Sequence, residues 1–319
     1  MSTAPRYRRA FVVGAHVPNG GTYMAYHLGR ILERDFGIPA VAVQMGAETA
    51  DNRILDYDLR MPVVTCAAME REITDRDILI VNPSFSSHQF GWRLPGLKIC
   101  YVQGFTTFAL LDRFDHYVAV SRFVADFLRT VYAIETRVIP PFIHLERCHP
   151  ARDWSQRPAN SVLISRKGLA EVWDVSWQRL RDVIGEKAPQ ILLQEPLAAA
   201  GLPQAELFDA LGGTRYFVTL SAAEGFGLVP LEAMAMGCTV IGYDGFGGRD
   251  YMRAGENCLV APYPGIDRVV ADVIAAVSDD RRSADIARRG HETAQHYSYA
   301  AFRAAWIEEF SRALRVAPL

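Results

Sequence analysis

The sequence has few lysines, little net charge and no long run of apolar residues. Its net charge of -2 makes nucleic acid an unexpected partner, because binding a phosphate backbone needs a surplus of Lys and Arg. No apolar run reaches the length of about 18 residues that a membrane-spanning helix needs. Among the 34 basic residues, lysine occurs only as Lys98, Lys167 and Lys187, so each lysine can be examined individually.

Cysteines are also few and widely spaced, with no C-x-x-C pair and no histidine cluster at zinc-ligand spacing. They predict free, mostly buried thiols in a reducing compartment. The N-terminal stretch contains basic residues but only a short apolar run before a Pro-Asn-Gly-Gly turn, which is unlike a secretory signal peptide. We therefore expect a cytoplasmic protein. The five cysteines are Cys66, Cys100, Cys148, Cys238 and Cys258.

In the first half of the chain, short apolar runs alternate with helical patterns. The run Ala10 to Val13 is followed by a turn and then by a helical pattern from Thr22 to Phe36, which predicts a β-loop-α unit. Such alternation is typical of a parallel, doubly wound sheet. Further predicted strands are 41–43, 78–81, 99–102, 117–120 and 137–139.

A second alternation follows Pro140, Pro141 and the polar stretch 150–160. The length of 319 residues also favours two domains of roughly 150 residues each. We therefore predict an α/β protein with two tandem Rossmann-like domains, 1–150 and 151–299, facing a central cleft. Ligands should bind at the carboxyl ends of the strands. The predicted elements are strands 161–165, 190–194, 216–220 and 239–243, with helices 169–184, 204–211, from about 230, and from 267 onward.

The most informative stretch runs from Ser221 to Gly237 and reads as strand, loop and helix. Its loop glycines allow close backbone approach to a ligand, and Pro230 suits a first helical turn. Free amides at that helix start favour an anion such as a diphosphate. Glu232 is expected in the first helical turn, where stabilisation of the helix dipole is the alternative explanation for a carboxylate. Glu224 lies in the turn itself.

The run E-G-F-G-L-V-P-L-E-A-M-A-M-G at 224–237 resembles the E-x7-E signature of retaining GT-B glycosyltransferases of the family-4 type. The resemblance extends over nearly all of the second domain and about half of the first. Further similar segments are 115–121, which ends in V-S, 138–140, the G-G turn at 247–248, G-E-N-C-L-V at 255–260 and Y-S-Y at 297–299.

This resemblance implies that Glu224 contacts hydroxyls of a donor sugar and that Glu232 accepts hydrogen bonds from the nucleotide ribose. Backbone amides at 226–229 would meet sugar and phosphate. Arg166 and Lys167 would neutralise the diphosphate, although two solvated loop charges remain the alternative. The implied catalytic residues are Glu224, Lys167 and Arg166. The implied donor-binding residues are Gly20, Gly21, Arg166, Lys167, Glu224, Gly225, Phe226, Gly227, Leu228, Val229 and Glu232.

In the first domain, Gly20 and Gly21 resemble the family's glycine-rich loop, although a simple strand-to-helix turn explains them equally well. Where the family often carries a histidine, this chain has Gln103, which cannot act as a base. The acceptor-side candidates are His16, His88 and Gln103. The resemblance implies that 1–150 binds the acceptor, that 151–299 binds the donor, and that a terminal helix within 300–319 packs back on the first domain. Aromatic residues at helical spacing predict a buried face there: Phe302, Trp306 and Phe310.

The resemblance implies transfer of a sugar from a nucleotide-diphosphate sugar to a glycan, a lipid-linked acceptor or a small molecule, in polysaccharide biosynthesis, with retention at the anomeric carbon. No cofactor is expected besides the donor substrate, and no metal, because no D-x-D pair lies at a suitable strand end. Membrane contact is expected only through a lipid-linked acceptor, and the oligomeric state stays open. The alternatives are a sugar-nucleotide epimerase of GT-B architecture and a non-catalytic GT-B partner subunit.

Overall fold

The computed structural model describes residues 6–15, 20–45, 61–82, 89–106, 109, 112–149, 152–167, 170–197 and 202–319. The chain forms two compact units, the first made of Met1–Pro141 with Ala300–Leu319 and the second of Phe142–Tyr299. The second unit therefore begins at Phe142, directly after Pro140 and Pro141, and not at residue 151 as the sequence suggested.

The first unit contains a seven-stranded sheet in the order β3-β2-β1-β4-β5-β6-β7, in which every neighbouring pair is parallel. Since β1 lies between β2 and β4, Phe11 is in register with both Val41 and Leu79. The strands are β1 (Arg9–Ala15), β2 (Ala40–Met45), β3 (Val63–Thr65), β4 (Asp77–Val81), β5 (Leu97–Val102), β6 (His116–Ala119) and β7 (Arg137–Val138). The helices are α1 (Gly20–Phe36), α2 (Cys66–Glu72), α3 (Phe90–Arg93) and α4 (Arg122–Tyr132).

The last helix, α10 (Tyr299–Leu314), lies largely in the first unit. Its predicted apolar face is buried: Phe302, Trp306 and Phe310 are at most 3% exposed. The Trp306 ring lies 5.0 Å from that of Tyr101 on β5, and the Arg303 guanidinium pairs with the carboxylate of Asp35 on α1. Aromatic burial and an ion pair therefore hold this helix on the first unit.

The second unit contains a five-stranded sheet, β12-β11-β10-β8-β9, again parallel throughout. Its apolar core lies between the sheet and helices α5 and α8 and includes Trp173, Leu180 and Val273. The strands are β8 (Ser161–Ser165), β9 (Leu192–Leu193), β10 (Tyr216–Thr219), β11 (Thr239–Tyr243) and β12 (Leu259–Ala261). The helices are α5 (Ala170–Lys187), α6 (Gln204–Gly212), α7 (Leu228–Ala235), α8 (Ile266–Ser278) and α9 (Asp280–Ala294).

Most predicted elements form within a few residues of their expected ends, and the differences are local. Strands β3 and β12 and helices α2, α3 and α4 were not predicted; the two strands and the first two of these helices are too short to give a recognisable periodicity. All five cysteines are free, and four of them are buried. Among the helices that the structure describes, none combines the length and the apolar character required to cross a bilayer.

Candidate functional site

The order of strands in the second sheet brings two loops together. The chain adds β9 on one side of β8 and then β10 on the other, so the loops that leave β8 and β10 run in opposite directions. In parallel sheets a crevice opens at such a point, outside the carboxyl ends of the strands. Ser165 at the end of β8 is in register with Thr219 at the end of β10. The residues that directly follow these two strands therefore share one crevice.

Lys167 follows β8, Glu224 follows β10, and their side chains meet in this crevice. The Lys167 Nζ lies 3.1 Å from Glu224 Oε2, and the hydroxyl of Ser221 donates to Glu224 Oε1 at 2.8 Å. The Glu224 side chain is 16% exposed and that of Lys167 is 37% exposed. A fixed carboxylate and an adjacent ammonium thus face solvent together, where charge-assisted hydrogen bonds to a polar ligand are strong.

The backbone of Glu224 is held by the loop that follows β11. The Glu224 amide donates to the Gly245 carbonyl at 2.8 Å, and the Gly247 amide donates to the Glu224 carbonyl at 3.1 Å. A Cβ atom at position 247 would lie 2.1 Å from the carbonyl oxygen of Gly225. This distance is too short for a non-bonded contact, so only glycine fits there without a shift of the backbone. The G-G turn recognised in the sequence therefore exists because the two loops pack backbone against backbone.

Helix α7 begins at this loop, with Gly227 as its N-cap residue at a φ of 89°, a conformation that favours glycine. The hydroxyl of Tyr251 donates to the Gly227 carbonyl. Within the described residues, no side chain caps the amides of the first turn. Such amides, together with the positive end of the helix dipole, are suited to binding an anionic group.

Glu232 lies in the second turn of α7, not in the first turn as expected, because the helix begins at Leu228, two residues ahead of Pro230. It is 7% exposed, and burial raises the pKa of its carboxyl to about 7 although a hydrogen bond from Gln204 and the charge of Lys167 both lower it. A dipole effect at an exposed first turn does not explain so buried an acid.

Gln204 was not identified from the sequence, yet it contacts Glu232. Its Nε2 donates to Glu232 Oε1 at 3.4 Å, and its own Oε1 accepts from Arg147 at 2.8 Å. The three side chains come from α6, from α7 and from the segment after Phe142, so only the tertiary fold brings them together. No motif carries a signal for this contact.

Arg166 is the sequence candidate that the structure separates from Glu224. Its guanidinium lies over the ring of Trp173, 5.5 Å from the ring centre, and 3.9 Å from the carboxylate of Asp174. The side chain is 62% exposed. Of the two adjacent cations, only Lys167 contacts the carboxylate after β10.

The backbone and the side chain of Phe226 have different environments. Its ring is 4% exposed and packs against Tyr251 and Tyr297, with ring centres 5.3 and 5.5 Å away. Only the main chain of this residue can therefore serve a ligand. Among its neighbours, Gly225, Gly227 and Val229 are also buried, and Leu228 is partly exposed.

In the first unit, the two glycines open α1 at Gly20. The Gln103 side chain, which follows β5, donates from Nε2 to the carbonyl of Gly21 at 3.2 Å. The structure therefore brings Gln103 and the glycine pair together. The other two acceptor-side candidates, His16 and His88, lie outside the described residues.

The chain is similar in sequence to known proteins over the segment that contains this site. A sequence model of the family "Glycosyl transferases group 1" matches residues 200–293, a segment that contains Glu224, Glu232 and Gln204. Over 141 residues the chain is 25% identical to the GtfA subunit of a UDP-N-acetylglucosamine–peptide N-acetylglucosaminyltransferase from Streptococcus gordonii. The match covers 40% of this chain and 28% of that relative, so the chain spans little more than a quarter of the relative's length.

Solved structures resemble the chain over a larger part of its length. A sucrose-phosphate synthase from Thermosynechococcus elongatus has a TM-score of 0.73 at 13% identity and covers 97% of this chain and 99% of its own. HepE from Anabaena, solved with UDP-glucose, has a TM-score of 0.70 at 13% identity, with 96% and 100% covered. The pneumococcal O-GlcNAc transferase GtfA, solved with UDP and GlcNAc, has a TM-score of 0.54 at 15% identity, with 78% and 60% covered.

The chain has a GT-B fold. Two Rossmann-like parallel sheets in tandem, as the sequence predicted, agree with these neighbours. At such identities the structural likeness supports the fold alone, whereas the family match covers 200–293, a range that includes the loop and helix that carry Glu224 and Glu232.

Proposed function

We propose that this protein is a glycosyltransferase that moves a sugar from a nucleotide-diphosphate sugar to an acceptor, with retention of the anomeric configuration. The observation that carries the proposal is the crevice between β8 and β10. There Lys167 meets Glu224 at 3.1 Å, next to the uncapped start of α7 and the buried Glu232. An ammonium, free amides and two carboxylates suit a ligand that combines phosphate with hydroxyl groups.

In this proposal each carboxylate binds neutral hydroxyl groups. Glu224 receives hydroxyls of the donor sugar and Glu232 receives those of the ribose, and each charge-assisted bond contributes about 1.5 to 3 kcal/mol. Burial favours neutral Glu232 in the free protein, where its pKa is about 7. Hydrogen bonds from ribose hydroxyls favour the ionised form, so donor binding should lower this pKa.

The leaving diphosphate is stabilised by Lys167 and by the amides at the start of α7. Fixed donors of this kind, aimed at charge that develops in the transition state, are a large contribution to catalysis. Because Lys167 contacts Glu224 in the free protein, it is held within reach of the crevice. Arg166 contributes only if its side chain leaves Trp173 and Asp174. The departing phosphate accepts the acceptor proton, so no protein base is required, and no divalent metal is needed.

The first test is transfer from purified nucleotide sugars, with the product anomer read by proton NMR at early times. UDP-glucose and UDP-GlcNAc come first, since structural neighbours were solved with UDP-glucose and with UDP and GlcNAc; GDP-mannose and ADP-glucose extend the panel. Glycans, lipid-linked saccharides and small alcohols serve as acceptors. Transfer with retention supports the proposal, and an inverted linkage appearing first contradicts retention.

The same assay separates the alternatives. A change in the donor sugar's stereochemistry without acceptor would indicate an epimerase. Donor binding without turnover on any acceptor would indicate a non-catalytic partner subunit. Initial rates in excess chelator test the metal-free mechanism, and abolished wild-type activity would contradict it. Arg166→Ala, measured beside Lys167→Ala, shows which of the two cations serves the diphosphate.

A further inference from the structure

A second concave site lies in the second unit, outside the crevice that holds Glu224. It is a cavity of about 570 Å³ between the segment after β11 and helix α9. Its base contains Tyr251 and Asn257, which are 2% and 5% exposed. The Asn257 amide donates to the Tyr251 carbonyl and to the Thr293 hydroxyl, at 2.8 and 2.9 Å. These bonds make the base a fixed surface.

Charged side chains of both signs line the walls. Arg253 and Arg289 face the same cavity as Asp250, Glu256 and Glu292. The lining therefore holds two guanidinium groups, three carboxylates and the imidazole of His296, and Glu292 is paired with Arg288 at 2.7 Å, so neither sign is in strong excess. Such a lining does not select a highly charged ligand, because each wall carries charges of both signs, so any ion meets like charges beside opposite ones.

The two guanidinium groups are held by backbone carbonyls. Arg253 donates to the carbonyls of Arg249 and Met252 at 2.8 and 3.1 Å, and the Arg289 Nε donates to the Glu256 carbonyl. Within the described part of the chain, neither guanidinium forms an ion pair. Arg289 makes its only described side-chain bond through Nε, so its two terminal nitrogens keep hydrogen-bond donors available.

We propose that this cavity binds a neutral oligosaccharide. A polyhydroxyl ligand can donate to carboxylates and accept from guanidinium groups at once, which suits a lining of both signs. The cavity volume lies within the range of small-molecule sites, about 300 to 1,000 Å³. Tyr297, which is partly exposed, adds an aromatic face, and aromatic residues with a few placed polar groups are typical of such sites.

The role of the bound glycan rests on the proposed function: the cavity holds a part of the acceptor away from its reacting end, in addition to the acceptor contacts that the resemblance implies for 1–150. The base of the cavity also touches the donor loop, since the Tyr251 hydroxyl donates to the Gly227 carbonyl. Substitutions in the base would therefore disturb both sites. The walls offer cleaner variants, because Glu256 and Arg289 contact the donor loop through no described side-chain bond.

The experiment is isothermal titration of the full chain with neutral trisaccharides (maltotriose, cellotriose and triacetylchitotriose) without nucleotide. We expect at least one trisaccharide to bind, with affinity lowered about tenfold or more by Arg289→Ala and by Glu256→Gln; tenfold corresponds to about 1.4 kcal/mol. Arg281→Ala is the matched control, since Arg281 is an exposed guanidine on the same helix that does not line the cavity. The Arg281→Ala variant should bind the trisaccharide with the affinity of the wild type.

Failure of all three sugars to bind, or equal binding by wild type, Arg289→Ala and Glu256→Gln, would overturn the assignment. Displacement of the bound sugar by inorganic phosphate would contradict the proposal that the ligand of this cavity is neutral. Melting temperatures of the variants show whether they are folded. Glu256→Gln changes an exposed side chain, so it keeps the test valid if Arg289→Ala does not fold. UDP-glucose and UDP-GlcNAc titrations on the same samples test the proposed function separately: a protein that binds trisaccharide but no nucleotide sugar contradicts only that function.

Discussion

Replacing Glu232 with glutamine tests whether the candidate site holds a desolvated carboxyl. The residue is 7% exposed, and burial raises its pKa from 4.5 to about 7. Each pKa unit corresponds to about 1.36 kcal/mol, so ionising this carboxyl in the folded protein costs about 3 kcal/mol more than in the unfolded chain. Glutamine has nearly the same shape, can still accept from Gln204 and cannot ionise.

The sign of the pH dependence follows from the raised pKa. Below pH 4.5 the acid is neutral in both states, and its contribution to folding is fully present. As pH rises from 4.5 to about 7, the unfolded chain ionises first and this contribution is lost. Nucleotide-free Glu232→Gln should therefore resemble the wild type near pH 4.5. Its free energy of unfolding should exceed that of the wild type by up to about 3 kcal/mol at pH 8.

The assay is urea unfolding of both proteins between pH 5 and 8, followed by tryptophan fluorescence, with the difference between them as the observable. Glu206→Gln is the matched control, because Glu206 is an exposed glutamate on α6, and its substitution should change stability by no more than about 0.5 kcal/mol. If the difference between Glu232→Gln and wild type were the same at pH 5 and pH 8, the carboxyl would not titrate in this interval and the inference from burial would be wrong.

Four further predictions concern the crevice and the loops beside it. Lys167→Ala should lower the initial transfer rate about a hundredfold, because it removes one preorganised charge from the leaving group; an undiminished rate in the folded variant would exclude this role. Glu232→Ala should weaken UDP and UDP-sugar binding alike, by about tenfold or more in calorimetry, since both ligands contain the ribose. Glu224→Ala should spare UDP affinity and impair turnover. If Glu224→Ala and Glu232→Ala lost UDP affinity equally, the two carboxylates would not have the separate roles proposed for them. Gly247→Ala should lower the free energy of unfolding by at least about 1 to 3 kcal/mol, because its Cβ would lie 2.1 Å from the Gly225 oxygen; an unchanged urea midpoint would show that these loops can separate.

The sequence predicted elements best where periodicity is strong. Strands β8 and β11 form over the predicted ranges 161–165 and 239–243, because buried parallel strands are continuous apolar runs bounded by polar turns. Helix α7 was placed at the correct loop, but its start at Leu228 was missed. Pro230 marks only the first turn, and the residue that opens the helix depends on the conformation of Gly227.

The candidate site was also only partly predictable from the sequence. The spacing of Glu224 and Glu232 could be read from the chain, since both lie within one strand-loop-helix segment. The environment of each carboxylate could not, because Lys167 reaches Glu224 only where β8 and β10 become neighbours. Gln204 reaches Glu232 only through the packing of α6 beside α7. No local pattern encodes either contact.

By itself, the sequence determined the alternation of strands and helices, the two glycine-bearing loops and the residue types available for chemistry, because these depend on neighbours within a few positions. Only the tertiary structure decided that Arg166 lies over Trp173 while Lys167 faces Glu224, and that Glu232 is buried enough for its pKa to reach about 7. Adjacent side chains on one loop diverge in direction. Desolvation depends on every element that packs around a group, so both properties follow from distant parts of the chain meeting in space.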